Sequence, residues 1–525
     1  MEYTKKPNFR MGEDEDFCAA DRVFDGRFVK ETSEDFILPD YLPDIKKIVS
    51  TFPTSLIKGR FLGSGTLEYE GEVSYRILYV AEDRSLKSVT FLTGFDEKIG
   101  GEEFCAECVE IISPLCENVS VRLLNPRKVN IRSSNGAKVS VFKRHCHLPA
   151  LYGARTADDE QALQTKTLCL DGANVLSLRE NGLTLSEDIS FEAAMPNATE
   201  LIFARVFPFV QDCRTFEGEV QLRGVAELFC ILSAGKTEEG KEEWILLSRS
   251  LSFSQTLKNE SLHEGGRCLA ALYPEGSDFR LREDEFGQKR VVEFDMTYLC
   301  DLTVFYDKQV AVIEDVYSLQ RETEKNGSEK AFYRPVAALK GGFSVNEGVT
   351  LDLPQDGGYR LVYAFAEPSL KLASESKNGK AVLEGSCALS LLLRDSAGAP
   401  DVRRTTLPLR FVTDVPVSEE LLEGDISAKA AGVRCRLEGN TVSCDMEIAF
   451  HGLLLCCQKR QVVDTIRILP EKRSTPGKRG SVILYYKEEG ESLFDIAKKY
   501  GVPASALSDA DAPEKEDGPL LIYCK

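Results

Sequence analysis

Two stretches concentrate the residue types from which a metal centre is built. Cys105-Ala106-Glu107-Cys108 is a CxxC half-site, Cys116 follows it, and His145-Cys146-His147 carries two of the four histidines of the chain. Zinc takes four Cys or His ligands, and a CxxC hairpin supplies two. The second half lacks another CxxC and lacks the histidine spacing of a zinc half-site, while cysteine is also an ordinary small core residue. No metal and no other cofactor is therefore expected, with Cys105, Cys108, His145 and His147 as the only metal candidates. Catalytic signatures are missing too. There is no phosphate-binding loop, no HExxH helix and no GxSxG elbow; Gly63-Ser64-Gly65 has the wrong spacing, and His263-Glu264 has no second histidine. The chain reads as a non-enzyme.

Composition narrows the partners. Acidic residues outnumber basic ones, 84 to 65, for a net charge of −19, which repels nucleic acid and anionic lipid. No run reaches the roughly 18 to 20 apolar residues of a membrane-spanning helix, so no membrane insertion is expected. Met1 to Lys6 lead into the acidic Gly12-Glu13-Asp14-Glu15-Asp16 instead of the apolar region of a secretion signal, and the expected location is cytoplasmic. Sixteen scattered cysteines then read as reduced, small apolar side chains.

The elements that would position any site repeat. Gly65/Gly71, Gly218/Gly224 and Gly379/Gly385 are each six residues apart and lead into strand-like runs, and the second glycines are 153 and 161 positions apart. That period suits tandem domains. Pro43 and Pro196 each precede their later glycine by 28 residues, and Pro354 by 31. The apolar spacing after Pro43 (Ile45, Ile48, Val49) predicts a short helix with the proline in its first turn. Downstream, Val292 to Tyr306 and Val442 to Phe450 alternate apolar and polar residues, the mark of half-buried strands. Asn135-Gly136, Glu275-Gly276 and Glu438-Gly439-Asn440 read as turns. The fold class is mainly β, with three tandem sandwiches or open barrels. A repeat glycine reads equally as a bulge or close approach and as an ordinary strand end.

Leu38-Pro39-Asp40-Tyr41-Leu42-Pro43-Asp44-Ile45, Leu124-Asn125-Pro126-Arg127-Lys128-Val129 and Glu314-Asp315-Val316-Tyr317-Ser318 resemble recurring phrases of SPOCS domains (DUF3794). These occur in SipL-type spore-coat morphogenesis proteins. The reading divides the chain into an acidic segment (1–29), SPOCS-like repeats at 30–150, 183–325 and 331–469, a solvated basic linker (470–480) and a tail (481–525).

In the tail, Ser492 suits a helix N-cap, Leu493, Ile496, Ala497 and Tyr500 follow helical spacing as a core face, and Gly501 suits a left-handed cap. Strand-helix-helix-strand order with Gly-Glu-Ser-Leu-Phe-x-Ile-Ala-x-x-Tyr-Gly-Val closely resembles a LysM domain. The resemblance implies a groove between the loop at Gly490, Glu491 and Ser492 and the acidic loop at Ser508, Asp509 and Asp511, with Phe494 as a surface candidate. LysM modules commonly bind N-acetylglucosamine glycans, and the acidic second loop departs from that pattern. Taken together, the two resemblances imply a non-catalytic spore-coat scaffold in the mother-cell cytosol at the forespore surface. Its LysM end would bind a coat-basement ATPase or another coat protein, held near by the repeats and a flexible linker. The alternative is a peptidoglycan-binding protein acting through the same tail.

Overall fold

Alternating apolar and polar residues become long antiparallel strands in the computed structural model, which describes residues 15–523 except 154–156, 193, 237–241, 355–357, 397, 417–420, 475–479, 489 and 509–519. The chain is mainly β. A 3-10 turn (Glu15–Phe17) leads into β1 (Cys18–Ile37), β2 (Ile45–Gly63), β3 (Thr66–Ala81), β4 (Leu86–Gly100), β5 (Val109–Asn125) and β6 (Lys128–Cys146). These make two three-stranded antiparallel sheets, β1-β6-β5 and β2-β3-β4. Tyr75 and Ile77 of β3 meet Val129 and Ile131 of β6 in the core between them.

After β7 (Ala150–Tyr152) and the short helix α1 (Ala157–Gln161), the same plan recurs. β8 (Leu163–Ser190), β9 (Glu200–Phe216), β10 (Glu219–Lys236), β11 (Glu242–Lys258), β12 (Arg267–Glu283) and β13 (Lys289–Ser318) form sheets β8-β13-β12 and β9-β10-β11. β14 (Arg321–Thr350), β15 (Arg360–Leu372), β16 (Lys380–Arg394), β17 (Pro400–Pro416), β18 (Leu421–Glu438) and β19 (Thr441–Lys472) form sheets β14-β19-β18 and β15-β16-β17. β7 adds to β19 in parallel. Last come β20 (Val482–Tyr485), α2 (Leu493–Tyr500), α3 (Ser505–Ser508) and β21 (Leu520–Tyr523), with β20 and β21 antiparallel.

Both glycines of each pair acquire a reason. Gly65, Gly218 and Gly379 take φ of 80°, 73° and 70° in the hairpin turns between the second and third strands, a left-handed conformation that costs other residues more. Gly71, Gly224 and Gly385 lie inside strands, where a Cβ would collide with a carbonyl oxygen of the neighbouring strand, at Leu56, Phe209 and Ser369 respectively. Phe95 and Phe253, paired with Gly71 and Gly224 in register, lay their rings over the bare backbone.

Three expectations fail for a physical reason. The stretch after Pro43 is the start of β2, not a helix: register shifts between Ile45 and Lys47 and between Ile48 and Ser50 interrupt the two-residue alternation and imitate helical spacing. Pro196 likewise precedes β9. Asn135-Gly136 is inside β6, not a turn: Asn135 is 1% exposed, and its amide donates to Tyr75 Oη at 2.8 Å and Thr32 Oγ1 at 3.2 Å. Glu275-Gly276 sits at an irregularity within β12. Glu438-Gly439-Asn440 is the expected turn, with Gly439 at φ 62°. The first unit also begins at Cys18, within the stretch read as an acidic N-terminal segment. Among the described residues, no helix is long and apolar enough to cross a membrane.

Candidate functional site

The tail is built around one capped helix. Ser492 Oγ accepts the Asp495 backbone N–H at 3.1 Å and the Asp495 carboxylate accepts the Ser492 N–H at 3.2 Å, a reciprocal capping box. The box and the Ser492 side chain hold the Asp495 carboxyl below its ordinary range. Gly501 closes the helix at φ 64°. Ile496 and Ala497 are fully buried against Ile522, with Ile483 and Tyr485 packed beside them. Leu493, expected in the core, is 37% exposed, whereas Phe494, expected at the surface, is 7% exposed. The exchange has a cause outside the tail: Phe494 stands edge-on to Tyr317 at the end of β13, with ring centroids 5.1 Å apart.

That contact belongs to an anchored interface. Tyr317 Oη donates to the Val502 carbonyl at 2.6 Å, and Lys498 Nζ meets the Asp315 carboxylate at 2.6 Å. Burial acts to raise the Asp315 pKa, but hydrogen bonds from Lys325, Lys498 and the Val316 N–H bring it below its ordinary value. Arg473 lies over the Tyr317 ring, 4.9 Å from its centroid, and donates to the Ser318 carbonyl and to Lys498 O, the latter near the helix C-terminus. Of the basic stretch read as a solvated, flexible linker (470–480), residues up to Lys472 are strand and Arg473 is a clamp, while 475–479 lie outside the described residues.

The expected loop residues are placed as follows. Gly490 has φ 83°. Glu491 accepts from Tyr485 Oη at 2.9 Å and from the Glu488 N–H at 3.4 Å, and Ser492 is occupied as the cap. Ser508 ends α3, and Asp509 and Asp511 lie outside the described residues. What sequence reading missed is the outer face of the two-stranded sheet. Val482 pairs with Tyr523 and Leu484 with Leu521; these four, with Tyr486, are 44% to 66% exposed. The signal was present in Val482-Ile483-Leu484-Tyr485-Tyr486: a strand apolar at every position has two apolar faces, and one helix layer covers only one.

The metal candidates do not converge. Cys105 Sγ and Cys108 Sγ are 3.3 Å apart. Cys105 is held below its ordinary thiol range by the hydrogen bond with Cys108, while burial pushes Cys108 up to about 11. His145 and His147 stack on each other with centroids 5.4 Å apart and face the buried Asp21, at 3.7 and 3.2 Å. Among the described residues, no group of three or more His, Cys, Asp or Glu side chains is arranged to hold a metal ion. Cys213 and Cys268 are joined as a disulfide between β9 and β12, against the expectation of reduced thiols throughout.

A cavity of about 480 Å³ opens where the sheets of β9-β10-β11 and β15-β16-β17 meet β18. Phe229 and Tyr363 stack in its wall at 4.0 Å. Lys429, 6% exposed, faces Glu227 at 2.9 Å, and Arg205 meets Glu367 at 2.8 Å. Burial lowers the Lys429 pKa and the Glu227 carboxylate opposes that. Lys429 and Arg205 are thus each met by a carboxylate, Glu227 and Glu367 respectively. Comparison with family models, with curated proteins and with solved structures finds no match to this chain.

Proposed function

We propose that the chain is a non-catalytic scaffold of the spore-coat type: three SPOCS-like repeats forming the body, with a LysM-like tail as its docking head. In this reading it works in the mother-cell cytosol at the forespore surface and binds a coat-basement ATPase. The observation that carries it is the outer face of β20 and β21, where Val482, Leu484, Tyr486, Leu521 and Tyr523 expose contiguous apolar surface at the far side of an anchored module. Such a patch on an otherwise strongly acidic chain supports reading it as a protein-docking surface. Anchoring by Tyr317 and Arg473 favours a rigid head over a tethered one, which reduces the ordering cost of association.

The docking surface in this reading lies on the sheet face. Glu491, Ser492 and Phe494 already serve the tail's own cap and packing. The test is a pull-down with the full chain, using the coat ATPase and purified sacculi as separate baits. Wild type should be retained by the ATPase, and Leu484→Lys combined with Leu521→Lys should reduce retention at least roughly ten-fold, the scale of losing two buried aliphatic contacts. Retention on sacculi with none on the ATPase would replace this reading by the glycan-binding one.

A further inference from the structure

The loop carrying Cys105 and Cys108 is built twice, once with sulfur and once without. In the first unit it joins β4 to β5: Gly65 N–H donates to Phe104 O at 3.0 Å, Gly101 N–H to Gly65 O at 3.1 Å and Phe104 N–H to Gly101 O at 3.1 Å. In the second unit, joining β11 to β12, Gly218 donates to Leu262 O at 2.9 Å, Asn259 to Gly218 O at 3.0 Å and Leu262 to Asn259 O at 3.0 Å. Phe104 and Leu262 plug the two cores at 3% and 0% exposure. Cys105 therefore corresponds to His263, and Cys108 to Gly266. The same backbone hydrogen bonds close over the same plug with no thiol at either position, and at Gly266 the Val304 and Tyr306 rims take the room of a side chain, so the backbone of the loop does not require the pair.

The two sulfurs differ in access. Cys105 is partly exposed between the exposed Glu103, Ala106 and Glu107, whereas Cys108 is 7% exposed and packs with Ile112 and Val139. The Cys108 N–H donates to Cys105 O at 3.1 Å, a tight turn that leaves the sulfurs 3.3 Å apart, so a modest side-chain rotation reaches the roughly 2.05 Å of a disulfide bond.

We propose that Cys105 and Cys108 form a thiol–disulfide exchange site whose substrate is a low-molecular-weight disulfide. The Cys105 thiolate attacks one sulfur of that disulfide; the S–S bond breaks, and the departing thiolate takes a proton from water. Cys105 is then held in a mixed disulfide. Cys108 gives its proton to solvent, attacks Cys105 Sγ and expels the second thiolate, which takes a proton from water. Two protein thiols are oxidised to one disulfide, and the substrate is reduced to two thiols.

The test treats reduced full-length protein with oxidised glutathione, alkylates it and reads each cysteine by peptide mass spectrometry. Expected are a Cys105–Cys108 disulfide reversed by dithiothreitol, a glutathione adduct retained on Cys105 in Cys108→Ser, and a free Cys108 in Cys105→Ser. Cys105 should be captured about ten-fold faster than Cys169, a partly exposed thiol with no such partner loop. Alkylation of both cysteines after oxidation, or capture of Cys105 no faster than Cys169, overturns the proposal. The double variant Cys105→Ser, Cys108→Ala removes both sulfurs while keeping a Cβ at the packed position and should melt within a few degrees of wild type in reducing buffer. Its failure to fold would show that the sulfurs are packing, and would equally overturn the proposal.

Discussion

His451 is a titratable ring held where water does not reach it. It sits in β19 at 4% exposure, with Nδ1 lacking a hydrogen-bond partner among the described residues. Burial lowers its pKa; Asp212 opposes this, and Lys340, 3.0 Å from Asp212, reinforces it. The depressed folded value means that the unfolded chain binds the proton more tightly. This contribution is complete above the unfolded value near 6.5 and is lost as pH falls through the folded one. Urea midpoints should therefore fall between about pH 7 and pH 5, with a limiting slope of about 1.4 kcal/mol per pH unit per proton. His451→Gln should flatten part of that slope, leaving the part due to His145, which burial also lowers. An unchanged slope in the variant would refute the assignment. At this scale the sequence displayed spacing without purpose. The six-residue interval of the glycines was legible, but Gly379 answers a left-handed turn while Gly385 answers a neighbouring carbonyl, and only the paired strand reveals the second.

At the scale of elements, local alternation is readable and pairing is not. Val292 to Tyr306 announced a strand and is one, but the strand continues to Ser318 because β8 pairs with it from Val291 to Ser318, through irregularities at Tyr298/Cys300 and Ile313/Asp315. Pro43 misled because bulges, which are properties of a strand pair, shift the in-out pattern of a single strand. The helix of the tail was legible from its caps and from Ile496 and Ala497, which are buried as their spacing implied, while the exchange of Leu493 for Phe494 was not, since Tyr317 lies about 177 positions from Phe494. The anchoring is testable. Tyr317→Ala removes the ring against Phe494 and the hydrogen bond to Val502 O, and by analogy with buried aromatic truncations should cost about 3–5 kcal/mol. Hydrogen exchange of α2 amides should accelerate while amides of β3 and β10 remain protected. Tyr317→Phe, which keeps the ring, should cost about 1 kcal/mol. Equal acceleration everywhere in Tyr317→Ala would mean that the tail and the body unfold as one unit and that this contact is not a separable anchor.

Across the whole molecule, the three six-stranded units share their apolar surfaces instead of sitting as beads. Leu78, Ile231 and Leu392, each seven residues after the second glycine of its pair, converge in one cluster with Phe52, Phe203, Phe229 and Phe365. Ion pairs close the circuit around it: Lys87 with Glu200, Arg205 with Glu367, and Lys47 with Asp401. The long first and sixth strands run on to meet again, bringing Ala20, Phe142, Phe305, Tyr333 and Leu453 into a second shared cluster. The repeat period suggested tandem units but could not reveal this junction, because each contributing side chain reads as an ordinary strand residue in its own copy. A shared core of this kind makes the units thermodynamically interdependent. Calorimetry of wild type should show the body unfolding in a single transition. Phe52, 4% exposed and 4.9 Å from the Phe365 ring, is the residue to remove: Phe52→Asp places an unpaired carboxylate among aromatic rings and should separate the transition into resolved steps, with the first unit melting earliest. Phe61→Asp, on the same strand but 63% exposed, should leave the single transition within a few degrees of wild type. Separate transitions already present in wild type would mean that the junction is contact without coupling.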